Sequence, residues 1–153
     1  MQINRFNLRV YFILQNEIED SILVSDEIIR GKHYTKFPGG GLEFGESTIE
    51  CVKREAIEEL GQSVNVVRHF YTTDIFVPSA FRSTDQIISI YYIASLNEPP
   101  LFKTSENKFD FKQSIDDEES FRWVKLSALD TNNFAFAADK RVVELLMTQG
   151  FND

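Results

Sequence analysis

Residues 40–62 read GGLEFGESTIECVKREAIEELGQ, and this stretch decides the fold because it joins a glycine loop to a helix bearing three carboxylates. Ser47 followed three residues later by Glu50 forms a capping box, so a helix is expected to begin at Thr48. Gly61 stands where a left-handed residue would end it. At about 100° per residue, Glu55, Glu58 and Glu59 fall within an arc of about 100° on one side of that helix. Ile49, Val52, Ala56 and Leu60 cluster on a neighbouring face that a sheet would bury, which sets the acidic stripe at the edge of a cleft.

Like charges at these spacings repel by a few tenths of a kcal/mol per pair unless something positive lies between them. A divalent cation removes that penalty, and all-oxygen donors suit a hard ion such as Mg²⁺, which also binds substrate phosphates. The preceding loop, Pro38-Gly39-Gly40-Gly41-Leu42-Glu43-Phe44-Gly45-Glu46, lets backbone approach an anion closely. Gly39 and Gly40 are therefore candidate substrate contacts.

The spacing of the seven residues Gly40, Glu46, Arg54, Glu55, Glu58, Glu59 and Gly61 resembles the Nudix box. Seven fixed positions match by chance with a probability on the order of 10⁻⁸ per window, which excludes coincidence. The resemblance implies an α+β fold, a Nudix-type α/β/α sandwich with a mixed β-sheet between helices. It also implies Mg²⁺- or Mn²⁺-dependent cleavage of a nucleoside diphosphate linked to another moiety. By residue-by-residue matching, Glu55, Glu58 and Glu59 would be metal ligands with Gly40 beside them. Glu46 would be a loop carboxylate on the substrate side, and Arg54 would pair with carboxylates to hold the box together. Two positions depart from the box: Ala56 is small for the usual bulky aliphatic, and Gln62 replaces an aliphatic residue.

In Nudix enzymes a carboxylate outside the box often serves as ligand or general base, and Asp116-Asp117-Glu118-Glu119 occupies a plausible place. Glu119 is the expected catalytic member, Glu118 the second choice. Pro78 lies sixteen residues after Gln62, an offset that resembles the Nudix hydrolases acting on ADP-ribose. Phe81 and Arg82 share its loop as candidate substrate contacts, able to stack on a base or meet a phosphate. The alternatives are a nucleoside triphosphate pyrophosphohydrolase and, in another class, a nucleotide-sugar sensor without catalysis. The family also makes a homodimer an expectation.

At 153 residues with a net charge of −8, the chain suits one domain, residues 1–153, with a small-molecule nucleotide as its partner. The negative charge argues against non-specific binding to nucleic acid or anionic membrane. The single Cys51 forms no internal disulfide, the N-terminus reads unlike a leader, and no apolar run approaches about eighteen residues. A cytoplasmic address is expected. Cys51 has no histidine partner in sequence among His33 and His69, so it reads as structural.

Residues 8–14 and 22–25 read as strands joined by a polar turn over 15–20, and residues 64–76 and 86–94 as two more strands with a loop over 77–85. Residues 97–113 read as a mobile surface excursion. Ser127 suits a short helical turn, Trp123 suits packing, and residues 138–149 carry a closing helix.

Overall fold

A computed structural model of the chain describes residues 2–152. Strand β1 (Arg5–Asn16) turns into β2 (Ser21–Ile29), and β3 (Lys32–Lys36) and β4 (Gly39–Gly41) follow before helix α1 (Thr48–Leu60). Strands β5 (Asn65–Thr72), β6 (Asp85–Ser95) and β7 (Glu119–Lys125) complete the sheet, and helix α2 (Ala137–Gln149) closes the chain. The sheet runs β3-β2-β1-β6-β5, with β4 added to β1 and β7 to β2. It is mixed: β1 and β6 are parallel, and the other pairs are antiparallel.

Alternation along β1 separates two cores, as a period of two requires. Val10, Phe12 and Leu14 pack with Cys51, Val52, Ala56 and Leu60 of α1. Tyr11 and Ile13 belong to the opposite cluster, with Val142, Val143 and Leu146 of α2. Two helices on opposite faces of a mixed sheet make the expected sandwich.

The box helix follows its local signals. Ser47 Oγ accepts from the Glu50 N–H at 3.1 Å, and Gly61 ends the helix with φ 67°. One expected core position fails: Ile49 is 43% exposed, whereas Cys51 is fully buried. Ile49 lies on the side of Ala56 but in the first turn. The departure at Gln62 is also explained, since its amide donates to Pro99 O at 3.2 Å and accepts from the Leu101 N–H at 2.8 Å. A buried polar side chain that fills both roles costs little.

That bond also tethers the 97–113 segment, which has no helix or strand but is anchored rather than loose. Phe102 packs near Phe121 and Trp123, with centroids 6.5 and 6.3 Å away. The Phe109 N–H donates to Asp26 at 3.0 Å.

Strand β4 is three glycines wedged against β1. Gly39 has φ +144°, and a Cβ there would stand 2.2 Å from Val10 O and 2.6 Å from Tyr11 Cα. Gly39→Ala should cost about 3 kcal/mol or more, because both contact atoms are backbone and neither can swing away. Urea unfolding measures this, and a wild-type midpoint would contradict it.

At the other face Tyr91 Oη donates to Asp139 Oδ1, both groups being buried. Burial raises the Asp139 carboxyl from 3.8 to about 6, against the opposing influence of Tyr91, Lys36 and the Phe37 backbone. The folded protein therefore holds this proton more tightly than the unfolded chain. The stability it contributes is complete below about pH 4 and is lost as pH rises through about 6. Relative to wild type, Asp139→Asn should gain on the order of 2–3 kcal/mol between pH 4 and pH 7.5. A difference independent of pH in urea titrations would contradict this.

Candidate active site

The glycine loop and α1 meet through Arg54. Its Nε and Nη2 donate to Glu46 at 3.0 and 2.8 Å, and Nη2 also reaches Gly41 O at 3.0 Å. Nη1 donates to Glu55 at 3.0 Å and to Glu58 at 3.2 Å. One planar guanidinium thus holds three carboxylates and a loop carbonyl, which a lysine point charge cannot do. Hydrogen bonding from Arg54, first among the causes, holds Glu46 down to about 2.

Glu55 and Glu59 face inward from the same helix, while Glu58 stands on its exposed side. Glu59 Oε2 accepts from the Gly39 N–H at 3.0 Å. Burial pushes the Glu59 carboxyl up to about 8; Glu119 and Glu55 push in the same direction, and Lys36 opposes them. Glu55 is raised chiefly by burial, against Arg54. Gly40 lies directly under it, and a Cβ at Gly40 would come within 2.4 Å of Glu55 Oε1.

Of the four later acids, only Glu119 joins this group. It begins β7 opposite Glu27, lies 3.4 Å from Ser25 Oγ, and is raised by burial and then by Glu27. Glu118 instead accepts backbone N–H bonds from Lys112, Gln113 and Ile115 and staples its own loop. Asp116 accepts from the Gly31 N–H at 2.8 Å, and Asp117 lines a neighbouring cavity.

Sequence reading missed Glu27, Lys36, Arg9 and Tyr11. Lys36 is buried, 3.2 Å from Glu27. Burial works against its charge, but Tyr11, Glu27, Glu59 and Glu119 together hold it above the ordinary lysine range. Strand register alone brings these residues to the box, so no local pattern announces them.

These four residues border a cavity of about 650 Å³. The expected substrate contacts Gly39 and Gly40 stand apart from its walls, paired in β4 with Tyr11 and Val10 and with Gly40 turned toward Glu55, while Phe76, Pro78, Phe81, Arg82 and Phe136 line it further out. Phe81 meets Tyr34 and Phe136 edge-on, at 5.9 and 6.0 Å. The volume suits a nucleoside-sized group.

Cys51 is structural, as expected. Burial, aided by Glu46, raises its thiol to about 12, and Sγ donates to Gly41 O at 3.6 Å.

The oxygen donors fit a hard divalent cation in type, and the charge that burial penalises at Glu55, Glu59 and Glu119 is what such an ion would offset. Among the described residues, no three His, Cys, Asp or Glu side chains are gathered tightly enough to ligate one ion. Arg54 Nη1 lies between Glu55 and Glu58 and occupies the position of a cation there.

The NUDIX domain family model matches residues 5–146, and the chain belongs to the Nudix hydrolase family. Members of that family generally use divalent metals, usually Mg²⁺, and act on small-molecule nucleotide derivatives. Similar solved structures share its fold at low identity. A Nudix hydrolase from Nitrosomonas europaea is 18% identical with a TM-score of 0.66, covering 96% of this chain and 73% of that one. A MutT protein from methicillin-resistant Staphylococcus aureus is 22% identical with a TM-score of 0.63, over 97% of this chain and 98% of its own. An ADP-ribose pyrophosphatase from Streptococcus suis is 16% identical with a TM-score of 0.61, over 96% of each chain. No curated protein sequence matches the chain. Among the described residues, no helix is long and apolar enough to cross a membrane.

Proposed function

We infer that the chain hydrolyses a diphosphate linkage in a nucleoside diphosphate derivative, with ADP-ribose or a related nucleotide sugar favoured. The observation that carries this reading is the contact of two half-sites. The acidic group of Glu55, Glu59 and Glu119 abuts, through Lys36 and Glu27, a cavity walled by phenylalanines and arginines.

In this reading Glu55, Glu58 and Glu59 would hold Mg²⁺ or Mn²⁺, and Arg54 would fasten Glu46 and the Gly41 carbonyl of the loop to the helix. The bound cation supplies charge neutralisation at the phosphate oxygens and a more acidic water. Glu119, raised by burial, is suited to take a proton from the attacking water. Lys36 holds Glu27 and steadies the negative charge where the two half-sites meet. The base rests against Phe81 and Phe76. Pro78, the residue behind the ADP-ribose preference, lies on the cavity wall.

Incubation of the purified protein with Mg²⁺ and ADP-ribose should yield AMP and ribose phosphate. Pyrophosphate from a triphosphate, with ADP-ribose untouched, would move the reading to nucleoside triphosphate pyrophosphohydrolase. Binding without any metal-dependent product would make the chain a sensor.

A further inference from the structure

Strands β2 and β3 are joined by only two residues, Arg30 and Gly31, with φ of 50° and 77°. Both central residues are left-handed, the arrangement in which Asn, Asp or Gly is favoured at the first position. Arg30 therefore occupies a position that its own backbone preference disfavours, and such sites point to a role for the side chain. Its guanidinium reaches back over the cavity mouth and lies 5.4 Å from the Phe81 ring centroid. Arg82 follows Phe81 directly and lines the same cavity.

The other cations of this cavity already have partners. Arg5 pairs with Asp85 at 3.4 Å, Lys36 with Glu27 at 3.2 Å, and Arg9 donates to Tyr11 at 3.1 Å. Arg30 and Arg82 have no ion pair among the described residues, although Asp117 lines the cavity with them. In a chain of net charge −8, two unpaired guanidiniums on one cavity select for an anion.

We propose that Arg30 and Arg82 bind a phosphomonoester carried by the substrate away from the scissile diphosphate. A phosphorylated nucleotide sugar is then favoured over ADP-ribose itself. The proposal rests on the nucleotide-derivative reading of the site and narrows its substrate class. The acidic group takes the diphosphate, the phenylalanines take the base, and the two arginines take the third anionic group.

Calorimetric titration without divalent metal, using ADP-ribose and ADP-ribose 2′-phosphate as the probes, tests it. The phosphorylated compound should bind at least about tenfold more tightly to the wild type. That preference should fall to about twofold or less in Arg30→Asn and in Arg82→Gln. Asn suits the turn, so Arg30→Asn should keep or raise the melting temperature, by up to about 3 °C. Equal affinities in the wild type, failure of both compounds to bind, or a preference that survives in both variants would overturn the proposal. So would a lower melting temperature in Arg30→Asn with the preference intact, which would leave the residue a purely structural role. Because no turnover is read, failed hydrolysis defeats the proposed function alone, whereas equal affinities beside normal hydrolysis defeat only this inference.

Discussion

Glu59→Gln should fold normally and lose turnover by about 10²–10⁴-fold. The amide oxygen can still accept from the Gly39 N–H, so the bond of the glycine loop to α1 survives. What disappears is a buried carboxyl whose pKa is pushed up to about 8, first by burial and then by its acidic neighbours, so that it stays mostly protonated at neutral pH until a cation draws out its charge. Removing it relieves the metal-free protein, whose melting temperature should be no lower than that of wild type. The stabilisation of wild type by Mg²⁺ should shrink in the variant, because ligand-linked stability follows affinity. Thermal melts with and without Mg²⁺, read beside product formation, separate these effects. Activity within about threefold of wild type would remove Glu59 from the chemistry.

Replacement of Arg54 should have the second largest effect, and it should damage stability as well as rate. Arg54→Ala leaves Glu46, Glu55 and Glu58 facing one another around the space of a lost cation, and Gly41 O loses its donor. The variant should melt several degrees lower and lose activity by on the order of 10²-fold or more. Arg54→Lys restores one positive charge without the fork. It should recover part of the melting temperature and little of the rate, since a point charge cannot span Glu46 and Glu55 together. Wild-type melting and rate in Arg54→Ala would show that the loop and helix are held by other contacts.

The legible part of this protein was local. The box helix begins and ends where Ser47, Glu50 and Gly61 place it, because capping acts within a few residues. The second helix and four strands followed from periodicity in the same way. Strand β4 escaped notice because three glycines have no strand preference of their own and pair only because β1 presents its edge. Strands β3 and β7 were obscured for related reasons, being short or following an irregular segment. The site divides along the same line. Glu55, Glu58, Glu59 and Arg54 share one helix and could be read together, whereas Glu27 and Lys36 face the box only through long-range register. For the acidic run at 116–119, sequence supplied four candidates. Packing at the start of β7 is what sets Glu119 apart from the loop-stapling Glu118.

Cys51, sealed between α1 and the sheet, gives the protein a built-in clock for its own opening. It is the sole thiol of the chain, wholly buried, and its proton is held up to about 12, so an alkylating reagent meets no thiolate while the fold is closed. Modification then proceeds only through excursions that part the box helix from β1, and its rate counts them. A reaction as slow as global unfolding would mean that the box helix never leaves the sheet on its own. A faster one would reveal that the helix holding the glutamates detaches while the rest of the molecule stays folded.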